Sequence, residues 1–93
     1  MSMQLGPGVT ISAAAFRQLV ARAVTEVEGA RLRKPRRNIE LAEGRIELAL
    51  IAPFGAVLPE LARDVQRSVA DAVETMCGLA VSGVDVTIEE LDG

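Results

Sequence analysis

The stretch that decides the fold covers residues 53–79 and reads PFGAVLPELARDVQRSVADAVETMCGL. Apolar residues recur in it at every third or fourth position, namely at Leu61, Val65, Val69, Val73 and Met76. This spacing is typical of a helix that buries one face. Pro59 suits the first helical position, and Gly78 suits the left-handed residue that ends a helix. The stretch therefore predicts a helix over 59–77 whose apolar face the rest of the chain has to cover.

A second stretch, residues 13–28, has the same apolar spacing, with Phe16, Leu19, Val20, Ala23, Val24 and Val27. Ser12 stands where an N-cap is expected, because its hydroxyl can accept a hydrogen bond from the first turn. Gly29 is a stop signal. These residues predict a second amphipathic helix over 13–28.

Three other segments alternate apolar and polar residues, as half-buried strands do: 9–11, 39–51 and 84–89. The middle segment contains Ala42-Glu43-Gly44, which predicts the turn of a hairpin. The order is β-α-β-β-α-β. We therefore expect an α+β fold, a two-layer sandwich with both helices on one face of a small mixed sheet. Residues 1–8 are predicted to be a flexible N-terminal lead, and residues 9–91 a single domain.

Composition argues against catalysis. The chain has 93 residues, no histidine and one cysteine, which removes imidazole general-base chemistry and zinc chemistry. Cys77 is predicted to be a small buried residue, since the negative end of a helix disfavours a thiolate. We expect no catalytic residue, metal or cofactor. A lone cysteine cannot form a disulfide within the chain and suits a reducing compartment. The longest charge-free run is far shorter than the about 20 residues of a membrane span.

The sharpest local feature is a basic segment at residues 31–37, with Arg31, Arg33, Lys34, Arg36 and Arg37. The net charge is −3, so the rest of the chain is strongly acidic. The segment is interpreted either as a contact for phosphates, acidic lipids or an acidic protein face, or as a solvated loop whose charge protects an edge strand. An acidic counterpart, the acidic face, lies near the carboxyl end: Asp85, Glu89, Glu90 and Asp92.

Two blocks carry a resemblance to a known family. GVTISAAAFRQLVARAVTEVEGA, residues 8–30, and FGAVLPELARDVQRSVADAVETMCGLAVSGVDVTIEEL, residues 54–91, resemble the alkaline shock protein family of bacterial general-stress and envelope-stress proteins. The second block has the family's aromatic-Gly turn, Val-Gln pair, helix end and closing strand at Phe54-Gly55, Val65-Gln66, Glu74-Thr75-Met76-Cys77-Gly78-Leu79 and Val84-Asp85-Val86. Phe54 replaces the family's usual Tyr, and Cys77 its usual Thr.

The resemblance implies a non-catalytic cytoplasmic protein of cell-envelope homeostasis that forms homo-oligomers. It also implies that a separate integral-membrane protein can anchor it to the membrane. The charge distribution suggests how copies meet, with the basic segment of one against the acidic face of the next. The alternative is a small nucleic-acid-binding module that uses residues 31–37. A small enzyme is the least supported interpretation.

Overall fold

The computed structural model describes residues 2–33 and 39–90. Its elements are strands β1 (Ser2–Gly6) and β2 (Val9–Ser12), helix α1 (Ala13–Thr25), strands β3 (Arg31–Leu32), β4 (Glu40–Ala42) and β5 (Arg45–Ala52), helix α2 (Leu58–Cys77) and strand β6 (Gly83–Glu90). The two predicted helices and the predicted closing strand are all present. The α+β class is confirmed.

β5 is the central strand of a mixed sheet. It pairs in parallel with β6 along its whole length, from Arg45 opposite Gly83 to Ala52 opposite Glu90. β3 and β4 pair with β5 in antiparallel fashion, at different points along the strand. Because β6 takes up one edge of β5 completely, β3 and β4 share the other edge. The predicted hairpin is therefore present as β4 and β5.

The core lies between this sheet and the helices. α1 and α2 pack against each other, α1 also contacts β3, and α2 contacts β6. The hydroxyl of Ser68 on α2 donates a 2.8 Å hydrogen bond to the carbonyl of Ala23 on α1. The predicted stripe of α2 is buried at Leu61, Val65, Val69, Val73 and Cys77, and it packs in one cluster with the inward residues of β5. Met76, which we expected in that stripe, is 70% exposed, because the last turn of the stripe is completed by Cys77 instead.

Three local features differ from the sequence-based expectation. Residues 2–6, expected in a flexible lead, form β1, which pairs with β2 in a separate two-stranded sheet. α1 ends at Thr25 rather than at residue 28. The amides of Val27 and Ala30 bond to carbonyls three residues back, so the chain tightens into turns there and buries Ala30. Those turns lead into β3, a short strand that the sequence did not indicate.

Gly78 ends α2 and Gly44 lies in the hairpin turn, as the sequence predicted, whereas α1 ends four residues before the predicted stop at Gly29. Gly78 is left-handed at φ 69° and directs its amide to the carbonyl of Glu74, closing α2. In the β4–β5 hairpin, Glu43 and Gly44 have φ values of 53° and 80°. Two successive positive φ angles give the turn whose twist matches that of antiparallel strands.

Candidate functional site: the outer face of the sheet

Burial along β5 shows which side of the sheet the helices cover. Ile46, Leu48 and Leu50 are buried under the helices, whereas the residues between them are exposed or half-buried. β3 and β6 follow the same alternation. We call the side away from the helices the outer face. Among described residues it contains Arg31 of β3 and Arg33 just after that strand, Arg45, Glu47, Ala49 and Ile51 of β5, and Asp85, Thr87 and Glu89 of β6.

Charge on the outer face is sorted by strand. The ionisable residues in and just after β3 on this face are the arginines Arg31 and Arg33, and those of β6 are the carboxylates Asp85 and Glu89. Two ion pairs lie on this face. Arg33 Nη1 lies 3.0 Å from Glu89 Oε1, so this pair crosses β5, and Arg45 Nη2 of β5 lies 2.6 Å from Asp85 Oδ1 of β6. The side chains of these pairs remain about half exposed, at 48–54%. The basic and acidic groups therefore already meet within one chain.

The Arg45–Asp85 pair has the more specific geometry. Arg45 Nε also donates to Asp85 Oδ2 at 3.0 Å, so the guanidinium binds the carboxylate through two parallel hydrogen bonds. Arg45 is paired with Gly83, two residues before Asp85, so its side chain has to cross Gly83. A Cβ atom on Gly83 would lie 2.6 Å from Arg45 Nη1. The absence of a side chain at this position is what lets the guanidinium lie flat on β6.

This pair shifts the pKa values of both partners. The hydrogen bonds to Arg45 lower the pKa of Asp85 below its usual value, because they stabilise the ionised carboxylate. The same hydrogen bonds raise the pKa of Arg45. Both groups are charged at neutral pH, so this ion pair keeps its charges across the physiological pH range.

The structure describes four of the predicted contact residues in full. Arg31 of β3 and Arg33 just after it lie on the outer face, as do Asp85 and Glu89 of β6. Glu90 is the last residue of β6, and its side chain is not described. Lys34, Arg36, Arg37 and Asp92 lie outside the described residues.

Sequence reasoning missed Arg45. The alternation of β5 already placed it on the polar side of that strand, and the alternation of the last strand placed Asp85 on its polar side. The parallel register of the two strands was not predictable, so the pair could not be assigned.

Cys77 is buried, as predicted, and burial raises the pKa of its thiol.

Across residues 2–33 and 39–90, no group of three or more His, Cys, Asp or Glu side chains is placed to hold a metal ion. Two surface depressions, one beside the β1–β2 hairpin and one where β5 ends, are lined mainly by apolar residues, and none of their lining residues in the described part of the chain is a carboxylate. No described helix combines the length and the apolar character that crossing a membrane requires.

The chain is a small α+β domain. Its two helices lie on one face of a small mixed sheet, and its paired charged groups lie on the exposed outer face. The comparison with protein families agrees with the resemblance read from the sequence. Residues 36–92 match the model of the alkaline shock protein 23 family, described as having a cell envelope-related function. The chain therefore belongs to the alkaline shock protein family and is a cell-envelope-related stress protein.

The match covers β4, β5, α2 and β6, and so includes the whole of the second block of the resemblance. The first block, residues 8–30, lies outside it, and its resemblance to the family stays a prediction. No significant match was found among curated proteins or among solved structures.

Proposed function

We propose that this protein acts without catalysis, by associating with further copies of itself and by docking to a protein partner, which can be an integral-membrane anchor. The observation that carries the proposal is the charge pattern of the outer face, with arginines in and just after β3 and carboxylates on β6. Opposite charges on two edges of one surface favour contact between different patches of two copies. Such head-to-tail contact can continue from copy to copy into a chain.

The intrachain pairs set the strength of this contact. Glu89 and Asp85 each have an arginine partner already, so a second copy competes with, or adds to, those pairs. Arg31 is exposed and forms no ion pair within the described residues, so among the described arginines of the outer face it is the one that is free to reach a neighbouring copy. We therefore expect association to be weak and strongly weakened by salt, because exposed ion pairs are screened.

Sedimentation velocity at low and at high salt tests the self-association. The expected result is assembly at low salt that decreases as salt rises, and that decreases at low salt when Arg31 is changed to Glu. Arg22→Glu is the matched control, since Arg22 is an exposed arginine in the last turn of α1, away from the outer face. A monomer at every salt concentration, or equal effects of Arg31→Glu and Arg22→Glu, contradicts the charge mechanism.

Partner docking is tested by capture from the native cell. The bait is the intact protein, compared with a variant in which Arg31, Arg33, Lys34, Arg36 and Arg37 are all neutralised. We expect the intact protein to retain a membrane protein that the variant loses. Equal capture by both baits would show that docking does not depend on the basic segment.

Nucleic-acid binding by the basic segment is less favoured than protein contact. Asp85 and Glu89 share the outer face with Arg31 and Arg33, and Arg33 is held by Glu89. These carboxylates repel phosphates. The nucleic-acid alternative predicts RNA or DNA affinity that falls steeply as salt rises. A lack of binding at low salt would exclude this alternative.

A further inference from the structure

The two edges of the main sheet are built differently. On the β3/β4 edge, Leu32 lies opposite Leu50 and Leu41 lies opposite Ile46, so the chain advances nine residues while β5 advances four. Pairing along that edge is therefore divided between two short strands that differ in register. β6 pairs with β5 over eight residues without a shift in register. Within the described residues β6 pairs with no other strand, so its second edge is continuous and open.

Of the features that usually protect an edge strand, the open edge has charged side chains, at Asp85 and Glu89, but lacks several others. β6, GVDVTIEE, contains no proline and no lysine, and it has no bulge in its pairing with β5. Long regular edges without such features add a further strand when one is offered. An edge of this kind on a native protein is therefore a candidate binding site for extended chain.

One hydrogen bond shows where the open edge begins. Gln66 Nε2 of α2 donates to the carbonyl of Val84 at 2.9 Å. Backbone groups of alternate residues in a strand point to the same edge, so Val86 and Ile88 share the orientation of Val84. Gln66 occupies the first of these positions and leaves the following ones for an added strand.

The surface beside this edge is apolar and incompletely covered. Val86 and Ile88 point toward the helix layer but are only half-buried, whereas Leu48 and Leu50 on β5 are 2% and 0% exposed. Ala62 and Ala70 of α2 share the helix face of Gln66, one turn before and one turn after it, and both are half-buried. We call this incompletely covered strip between α2 and the open edge of β6 the groove, and the side chains of α2 next to it are small.

The fold also limits what the groove can hold. α2 contacts β6. If a second copy paired with this edge through its own β6, its α2 would lie about one strand spacing from the α2 of the first copy. Adjacent strands lie about 4.8 Å apart, whereas packed helix axes need about 8–10 Å. Two copies cannot satisfy both distances, but a single strand with no helix above it can.

Charge selects the chemistry of that strand. Asp85 and Glu89 have their arginine partners on the β5 side, and their side chains remain 48% and 54% exposed. A carboxylate can accept more than one cationic donor. An added strand places its outward side chains next to these two carboxylates, so lysine or arginine is favoured there, and acidic residues are repelled.

We propose that the open edge of β6 binds an extended cationic segment of a partner protein by strand addition, with valine- or isoleucine-like residues alternating with lysine or arginine. The apolar residues fill the groove beside Ala62, Val86 and Ile88, and the cations lie beside Asp85 and Glu89. This inference deepens the partner-docking part of the proposed function and rests on that part for its biological use. It does not depend on self-association.

The probe is a capped synthetic peptide of about seven residues in which valine and lysine alternate, added to isotope-labelled protein and followed by NMR. We expect chemical-shift changes along β6 and at Ala62, Gln66 and Ala70. A peptide with the same composition but with valines and lysines in separate blocks, and one with glutamate in place of lysine, should each bind much more weakly. Changes on the β3/β4 edge, or equal binding of the block peptide, overturn the proposal.

Backbone methylation of the peptide tests strand addition without altering the protein. One peptide is N-methylated at its valine amides and another at its lysine amides. Only one of these sets faces β6, so only one of the two peptides should lose affinity, by about tenfold to a hundredfold for two or three lost hydrogen bonds. Equal affinity of the two methylated peptides excludes an added strand.

A protein variant completes the test. Val86→Pro removes an amide that faces the open edge, and Val86→Ala is its control for the lost side chain. We expect the proline variant to lose about tenfold or more in peptide affinity and the alanine variant clearly less. If Val86→Pro does not fold, the methylated peptides decide the question. Peptide binding without salt-dependent assembly would support the edge site and contradict the charge mechanism of self-association, and the reverse result would do the opposite.

Discussion

The assignment of one face of β5 to the core and the other to solvent can be tested with two neighbouring residues. Leu50 is 0% exposed and points toward the helices, whereas Ile51 is half-buried on the outer face. Leu50→Ala removes buried carbon and leaves a cavity, at a cost of roughly 2–5 kcal/mol. Burying a whole isoleucine side chain contributes about 1.5–3 kcal/mol, so Ile51→Ala should cost only about 1 kcal/mol.

These costs are large compared with the stability of a small domain. A chain of 93 residues should have roughly 5–14 kcal/mol of unfolding free energy, at about 0.05–0.15 kcal/mol per residue. Leu50→Ala therefore removes a substantial share of it. With an m value of about 1 kcal/mol/M, the urea midpoint should fall by about 2 M or more in this variant and by about 1 M in Ile51→Ala.

The assay is urea unfolding followed by far-ultraviolet circular dichroism, because the chain has no Trp or Tyr to report by fluorescence. Measurements at low protein concentration keep the molecules apart, and a second series at high concentration shows whether Ile51 gains importance when copies associate. An equal fall of the urea midpoint in the two variants at low concentration, or a larger fall in Ile51→Ala, would show that the core does not lie on the Leu50 side of β5. Either result would refute the two-layer arrangement.

Three further predictions concern single groups. The pKa of Asp85 is lowered in the folded state, so the stabilisation that it provides is present at neutral pH and is lost as the pH falls through the folded pKa. Urea midpoints across the acid range should therefore fall less steeply in Asp85→Asn, and an unchanged slope would show that the pair contributes nothing. Gly83→Ala should displace the guanidinium of Arg45 and raise the pKa of Asp85 toward its usual value, measured by carboxyl NMR titration, and an unmoved pKa would contradict the close approach of Arg45 to Gly83. The thiol of Cys77, whose pKa is raised by burial, should react with an aromatic disulfide reagent far more slowly in the folded protein than in denaturant, and equal rates would contradict its burial.

Periodicity predicted the elements that bury a full face. The stripe of α2 and the alternation of β5 and β6 are long enough to be unambiguous, and the structure confirms each of them. β1 was missed although Met3 and Leu5 alternate with polar residues before Gly6, because a strand of five residues at a chain end carries little signal. β3 was missed because it has two residues and owes its conformation to its partner, β5.

The outer face was harder to predict because it depends on register. The sequence indicated which residues of β5 and β6 are polar, but not that Arg45 lies opposite Gly83 in a parallel pair. It also indicated a basic segment and an acidic face, without indicating that Arg33 reaches Glu89 across β5 in the same chain. The order of the strands in the sheet brings separate charged segments together on one surface. A single sequence does not specify that order directly.

The family match covers the residues proposed for strand addition but not the arginines proposed for self-association. β6, α2 and the groove between them lie within residues 36–92, which match the family model, whereas Arg31 and Arg33 precede that range. If strand addition belongs to the shared domain, an alternating valine–lysine peptide should also bind another member of the family at its own closing strand. Salt-dependent self-association through Arg31 should then be absent from a member without arginines before that domain. A member that binds no peptide but still assembles through charge would show that the open edge of β6 is a feature of this chain and not of the family.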